Sequence, residues 1–416
     1  RPSKLRAGTR LSSSISNRTY SGRLMATYNS GVEKEKFAYI ISGSRRWAKQ
    51  GYINGTLYDS YSLYGTMEYF LNDKNSFSTT AIVASNRRGR SSAITEEVFK
   101  LKGNKYNPYW GYQDGKIRNS RERHIREPLF LLNYHHESEK FRLNAGLAYQ
   151  TGQYTRSRLG YFNAPNPDPT YYRYLPSFYL NSPIGANFES AIEAKNGFLS
   201  QPQLDWEKLY AANTSIGQNG EAAYVLYDDV TKDDQLTARM TSNLELNAHF
   251  KLDMGLTYRS LNSRNYAQIF DLLGAEYHND IDVFSETKND LSSVLNKNNG
   301  DIFNYNYNVK GNEIDGFIQL NTEFKSLRSF ISGRYTIVDY QREGLFKNER
   351  FINNSLGNSE KIRFSNWAFK SGASYSITGR HWVAANAAYI NKAPVLQNVF
   401  INHRESNESV HNIQNE

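Results

Sequence analysis

The sequence predicts an all-β fold: one antiparallel transmembrane β-barrel domain over residues 1–416, with short turns at one rim and long loops at the other. Three observations predict it. Apolar and polar residues alternate with period two, many segments reach about ten or more residues, and connections alternate short and long along the chain. Alternation alone also fits a soluble β-sandwich, but about ten residues is the length a tilted strand needs to cross a bilayer.

Leu5–Ile15 counts as a first strand. Tyr61, Leu63, Gly65, Met67, Tyr69 and Leu71 alternate with Ser62, Tyr64, Thr66 and Glu68. Asn72-Asp73-Lys74-Asn75-Ser76 then turns the chain and Phe77 to Asn86 returns. Phe141, Leu143, Ala145, Leu147 and Tyr149 interleave with Arg142, Asn144 and Gln150. Leu236, Ala238, Met240, Leu244 and Leu246 oppose Arg239, Asn243 and Glu245. Leu252, Met254, Leu256 and Tyr258 oppose Asp253, Thr257 and Arg259. Ile314, Ile318, Leu320 and Phe324 oppose Asp315, Gln319, Asn321 and Glu323, and Ile331, Tyr335 and Ile337 oppose Ser332, Arg334 and Thr336.

Short connections fall at 29–36, 72–76, 137–140, 247–249, 325–328 and 377–380. Long ones fall at 44–59, 86–127, 156–235, 260–312 and 341–361. Periplasmic turns and extracellular loops give that alternation, whereas a compact soluble domain seldom carries several long loops. The count is about thirteen strands, against about 22 in the plugged transporters. A partial barrel is therefore expected, starting at the periplasmic rim and stopping in an outer loop after Asn386–Tyr389. Arg1-Pro2-Ser3-Lys4 opens no signal-peptide apolar segment, and Asn412 to Glu416 is polar rather than an aromatic closing strand, so a fragment is expected.

Composition agrees. Hydrophobic residues make up 39% and no apolar run of membrane-helix length appears, yet the chain holds 31 Tyr, 22 Phe and 5 Trp. Mean hydropathy is −0.69. A wall wetted on one face combines a polar average with many aromatics. The absence of Cys excludes disulfides and thiolate metal sites. The net charge of +9 is spread without a basic block, which reads as a solvated surface rather than a nucleic-acid footprint.

Several stretches resemble TonB-dependent receptors of the Bacteroidetes type. They are Ser16-Asn17-Arg18-Thr19-Tyr20 with Arg23-Leu24-Met25-Ala26-Thr27-Tyr28, Ser42 to Ala48 with Gly51-Tyr52, Tyr106 to Gly115 with Arg118 to Arg121, and Ala164-Pro165-Asn166-Pro167 with Tyr171 to Pro176. The resemblance implies an outer-membrane importer whose outer loops and plug take the ligand. A TonB-type inner-membrane complex then drives uptake of an iron chelate, cobalamin, oligosaccharide or peptide. It implies contact with outer-membrane lipids and, in some members, a surface lipoprotein lid. The plug and the energy-coupling box match no positions here.

Candidate residues follow. Tyr109, Trp110 and Tyr112 in one long loop, and Tyr171, Tyr172 and Tyr174 in another, either contact a ligand or pack the loops. Arg142, Arg239, Glu245, Arg259, Glu323 and Arg334 are expected to face the lumen and contact the plug, because an Arg or Lys facing lipid at mid-depth costs about 2–4 kcal/mol. Trp47, Trp367, Trp382, Tyr375 and Tyr389 suit interfacial girdles, with a packed core role as the alternative. Asp228, Asp229, Asp233 and Asp234 form an acidic cluster before a strand that fits no calcium loop. His135 and His136 point to opposite strand faces and do not share a metal. No metal, cofactor or nucleic acid is expected, and no catalytic motif appears. A plugless passive porin is the main alternative. A barrel enzyme and a soluble glycan-binding β-protein are further ones.

Overall fold

The computed structural model describes residues 1–416, the side chain of Ile216 aside. The alternating segments form one antiparallel meander in which each strand pairs with the next. The strands are β1 Gly8–Ile15, β2 Gly22–Asn29, β3 Phe37–Ala48, β4 Tyr58–Asn72 and β5 Asn75–Gly89. β6 has two parts, Glu122–Arg126 and Leu129–Glu137, which share both neighbours. There follow β7 Phe141–Tyr161, β8 Tyr224–Glu245, β9 Phe250–Asp271 and β10 Ile302–Phe324. β11 Leu327–Gly344, β12 Ile362–Ser376 and β13 Trp382–Ile390 complete the sheet. Among the described residues β1 and β13 do not pair, so the wall is open.

The break in β6 has a covalent cause. Pro128 lacks the N–H a ladder needs. Opposite it Gly152 takes φ +141°, and a Cβ there would lie 2.1 Å from the Arg126 carbonyl oxygen. Only glycine fits that approach.

Residues directly opposite in an antiparallel pair share a face. The register therefore carries one face across the sheet, as in the row Tyr69, Phe77, Tyr134, Ala145, Met240, Leu256, Gly316, Tyr335 and Trp367. One residue along, the row reads Glu68, Ser78, Asn133, Gly146, Arg239, Thr257, Asp315, Thr336 and Asn366. The first face is apolar yet open: Leu63 and Ile331 are each 63% exposed. So extensive an exposed apolar surface marks a face that contacts a membrane or another protein. Aromatic rings gather near the short-turn rim of this face, with Phe77 on Tyr134 at 5.1 Å and Phe250 on Phe324 at 5.6 Å. At the other rim Trp367 stacks on Tyr389 at 4.9 Å.

Two expectations are corrected here. Trp382 opposes Ser376, which places it on the polar face and outside the girdle that Trp47, Trp367, Tyr375 and Tyr389 suit. The strands also outrun the loop limits set at about 86–127, 156–235 and 260–312. β7 to β10 hold 21, 22, 22 and 23 residues, so the irregular stretches there narrow to 162–223 and 272–301. Beyond the apolar band both faces are covered and bury apolar residues, Val225 in one cluster and its neighbour Leu226 in another, so the alternation that marks a strand fades while the backbone ladder continues.

The buried core sits at this long-loop end. The loop between β7 and β8 carries α1's partners, where α1 is Glu96–Lys102, and the helices α2 Pro176–Leu180, α3 Phe188–Ser200 and α4 Trp206–Asn213. Val98, Tyr106, Leu175 and Phe198 make one cluster, and Trp206, Leu209, Tyr224, Leu226 and Leu273 another. Asn213 locks the second. Its Nδ2 donates to the carbonyls of Tyr224 and Leu272 at 2.8 and 2.7 Å, and its Oδ1 accepts from the amides of Ala223 and Tyr224 at 3.0 and 2.9 Å. The segment after β13 folds back over the polar face, where Val399 and Phe400 bury against Val338 and Phe364.

Candidate functional site

The polar face and the loop mouth above it hold the charged and aromatic side chains. All six charged residues expected on the lumen side share this face by register. Five have ionic partners: Arg142 with Glu137 at 3.5 Å, Glu245 with Lys251 at 2.9 Å, Arg259 with Glu313 at 3.7 Å, Glu323 with Arg328 at 2.9 Å, and Arg334 with Asp315. Arg239 lies between Gly146 and Thr257. Such part-exposed pairs add little stability each. Their effect is a face that water wets.

The loop aromatics divide by burial. A hairpin of Trp110–Gln113 and Lys116–Asn119 presents the first trio. Trp110 is buried over Gly55, whose φ of +70° and missing Cβ make room for the indole. Packing therefore accounts for Trp110. Tyr109 is half-buried with the Arg121 guanidinium 5.5 Å from its ring centre, while Tyr112 is exposed and meets Trp110 edge-on at 5.3 Å. Tyr171 packs on Tyr172 at 4.8 Å and on Tyr174 at 5.3 Å, leaving Tyr172 and Tyr174 exposed. The two trios share no ring contact among the described residues.

The acidic cluster does not assemble. It lies within β8 rather than before it, and alternation sends Asp228 and Asp234 to one face and Asp229 and Asp233 to the other. Burial lifts Asp228 to about 6. Asp234 accepts from Tyr149 Oη at 3.0 Å. Asp229 pairs with Arg158 and accepts from Tyr305 Oη at 2.8 Å, and burial, reinforced by that carboxylate, raises the Tyr305 phenol. His135 bonds Asn144 Oδ1 at 2.7 Å on the polar face, while His136 lies beside Phe141 on the other. No group of three or more potential metal ligands occurs among the described residues.

The fold assembles one feature the sequence reading missed. Arg88, Arg123 and Arg156 stand directly opposite one another on β5, β6 and β7, and Arg23 stands opposite Arg46 on β2 and β3. Arg121 precedes Arg123 by two residues, and burial lowers its pKa. These arginines share the polar face near the long-loop rim. They are scattered over 134 residues of chain, so no basic block marks them. The only local signal is the spacing Arg-x-Arg at Arg121-Glu122-Arg123 and Arg156-Ser157-Arg158, which strand geometry places on one side.

No protein-family model matches this sequence, and no curated protein does. Solved structures do. The ferric citrate transporter FecA, in its unliganded form, is 9% identical with a TM-score of 0.55 over 92% of this chain and 43% of its own. The copper transporter OprC is 9% identical with a TM-score of 0.58 over 98% of this chain and 50% of its own. The ferric-catecholate import receptor Fiu of E. coli K12, in its open form, is 11% identical with a TM-score of 0.53 over 94% and 55%. At these identities the likeness is one of fold: the sheet of this chain has the architecture of part of these receptors and transporters. The chain spans about half the length of the structures it resembles.

Proposed function

We propose that this chain is part of the barrel wall of a TonB-dependent outer-membrane receptor of the Bacteroidetes type, which actively imports a nutrient ligand. One observation carries the reading: an apolar outer band and a charged inner face run in register over the meander, with short turns at one rim and a folded loop cap at the other. Thirteen strands would close only with about nine more. The full-length protein on this reading adds those strands and a plug that couples to TonB. The charged residues from Arg142 to Arg334 line the lumen against the plug. Tyr112, Tyr172 and Tyr174, exposed at the mouth, are the aromatics available to a ligand or to a lipoprotein lid.

The test is electrical and biochemical. The full-length protein in planar lipid bilayers should be silent at rest and should bind the periplasmic domain of TonB. A steady open conductance without TonB binding would make the protein a passive porin instead.

A further inference from the structure

We propose that the arginine rows on the polar face form a recognition site for a ligand carrying two or more oxyanion groups, carboxylate or phosphate. The proposal rests on reading that face as the lumen of an importer. Like charges placed directly opposite destabilise a sheet. Here three guanidinium groups line up across β5, β6 and β7, with the pair Arg23 and Arg46 two residues lower on the same face. Nothing in the wall neutralises them. Arg23, Arg46, Arg88, Arg121, Arg123 and Arg156 make no salt bridge among the described residues. The Nε atoms of Arg23, Arg46, Arg121, Arg123 and Arg156 are buried without an acceptor. Arg156 faces Asp229 in register, but that carboxylate is held by Arg158 and by Tyr305 Oη.

The side chains are held rather than loose. Tyr154 lies between Arg123 and Arg156, with guanidinium carbons 5.3 and 5.6 Å from its ring centre, and Arg46 lies 5.9 Å from that of Tyr20. A cleft of about 860 Å³ opens beside the Arg88–Arg123 end of the row, lined by those two residues with Arg18, Arg90, Tyr52 and Tyr58. That volume suits a small-molecule ligand. Buried charged donors without acceptors are costly, and the planar guanidinium fork meets carboxylate or phosphate in a bidentate manner. A multiply charged anion in this cleft meets the guanidinium groups of Arg88 and Arg123 and relieves the repulsion along their row.

The experiment uses detergent-purified full-length protein and titration calorimetry with citrate, inorganic pyrophosphate and, as a cationic control, choline. Citrate or pyrophosphate should bind, choline should not, and the stronger probe tells carboxylate from phosphate recognition. Arg123→Gln and Arg88→Gln should each weaken binding about tenfold or more, with Arg123→Lys in between. Affinity should fall as salt rises. In ligand-free protein, Arg123→Gln should leave the thermal midpoint unchanged or raise it, because it removes a like charge. A lower midpoint would reveal an acid elsewhere in the protein that already neutralises the row, and would overturn the proposal. So would failure of both anions to bind, or binding that both Gln variants leave intact. These readouts need no energy coupling, so a negative result beside a silent, TonB-binding barrel removes the anion site and leaves the importer reading standing.

Discussion

Replacing Met240 with Arg tests which solvent each face meets. Met240 lies on the apolar face of β8, 48% exposed, four residues from Leu236 and four from Leu244. Leu236 to Leu246 is ten residue steps. At ~3.3 Å per step and a tilt of about 40° that is a rise of about 25 Å, the height of a barrel's lipid-facing band. Met240 is therefore near mid-depth, where an arginine costs about 2–4 kcal/mol. Thr241 is the control, because it faces the other way, opposite Asn144 and Gly255. Thr241→Arg should fall within about 0.5 kcal/mol of the parent, as surface changes do. Both variants are measured by guanidinium unfolding of the full-length protein in lipid-like micelles, followed by tryptophan fluorescence. In water an exposed methionine yields to arginine at almost no cost. If Met240→Arg is neutral, or if Thr241→Arg is the more damaging of the two, the apolar face does not meet lipid and the barrel reading fails.

Other predictions concern the outer end. His278 lies 4.3 Å from the Phe162 ring and 5.3 Å from that of Phe303, and burial depresses its pKa to about 4. Its contribution to stability is complete above the unfolded value of about 6.5 and is lost as pH falls through about 4. Hydrogen exchange around 222–225 and 267–279, corrected for intrinsic rate, should rise over that window, and His278→Phe should abolish the rise. Asp228 acts in the opposite sense: its stabilising effect is complete below about 3.8 and is lost as pH rises through about 6, so Asp228→Asn should flatten that part of a stability profile. Asn213→Ala removes a partner from five backbone groups, of which the Leu272 carbonyl keeps the Ala275 amide, and each group left unpaired costs about 1–3 kcal/mol, so proteolysis between 206 and 223 should accelerate at least tenfold while the membrane band stays protected. Gly152→Ala forces a Cβ against the Arg126 carbonyl and should lower the yield of assembled barrel, whereas Gly65→Ala, which meets open space, should not.

The sequence by itself determined the wall. Period two is a local property of strands, so the faces of Met240 and Arg239, and the opposed His135 and His136, could be read from neighbours alone. The turns at 72–76 and 325–328 were legible for the same reason, since few residues are involved. What only the tertiary structure decided depends on register or on contacts between distant segments. Strand ends such as Tyr161 and Tyr224 lie where loops cover both faces and apolar residues such as Val225 and Leu226 bury on either side, which erases the alternation. Trp110 is buried because Gly55 approaches it, and Trp382 takes the polar face because it pairs with Ser376. The arginine rows are the sharpest case. Arg88, Arg123 and Arg156 lie more than thirty residues apart in sequence, and hydrogen-bond register across three strands brings their charges side by side.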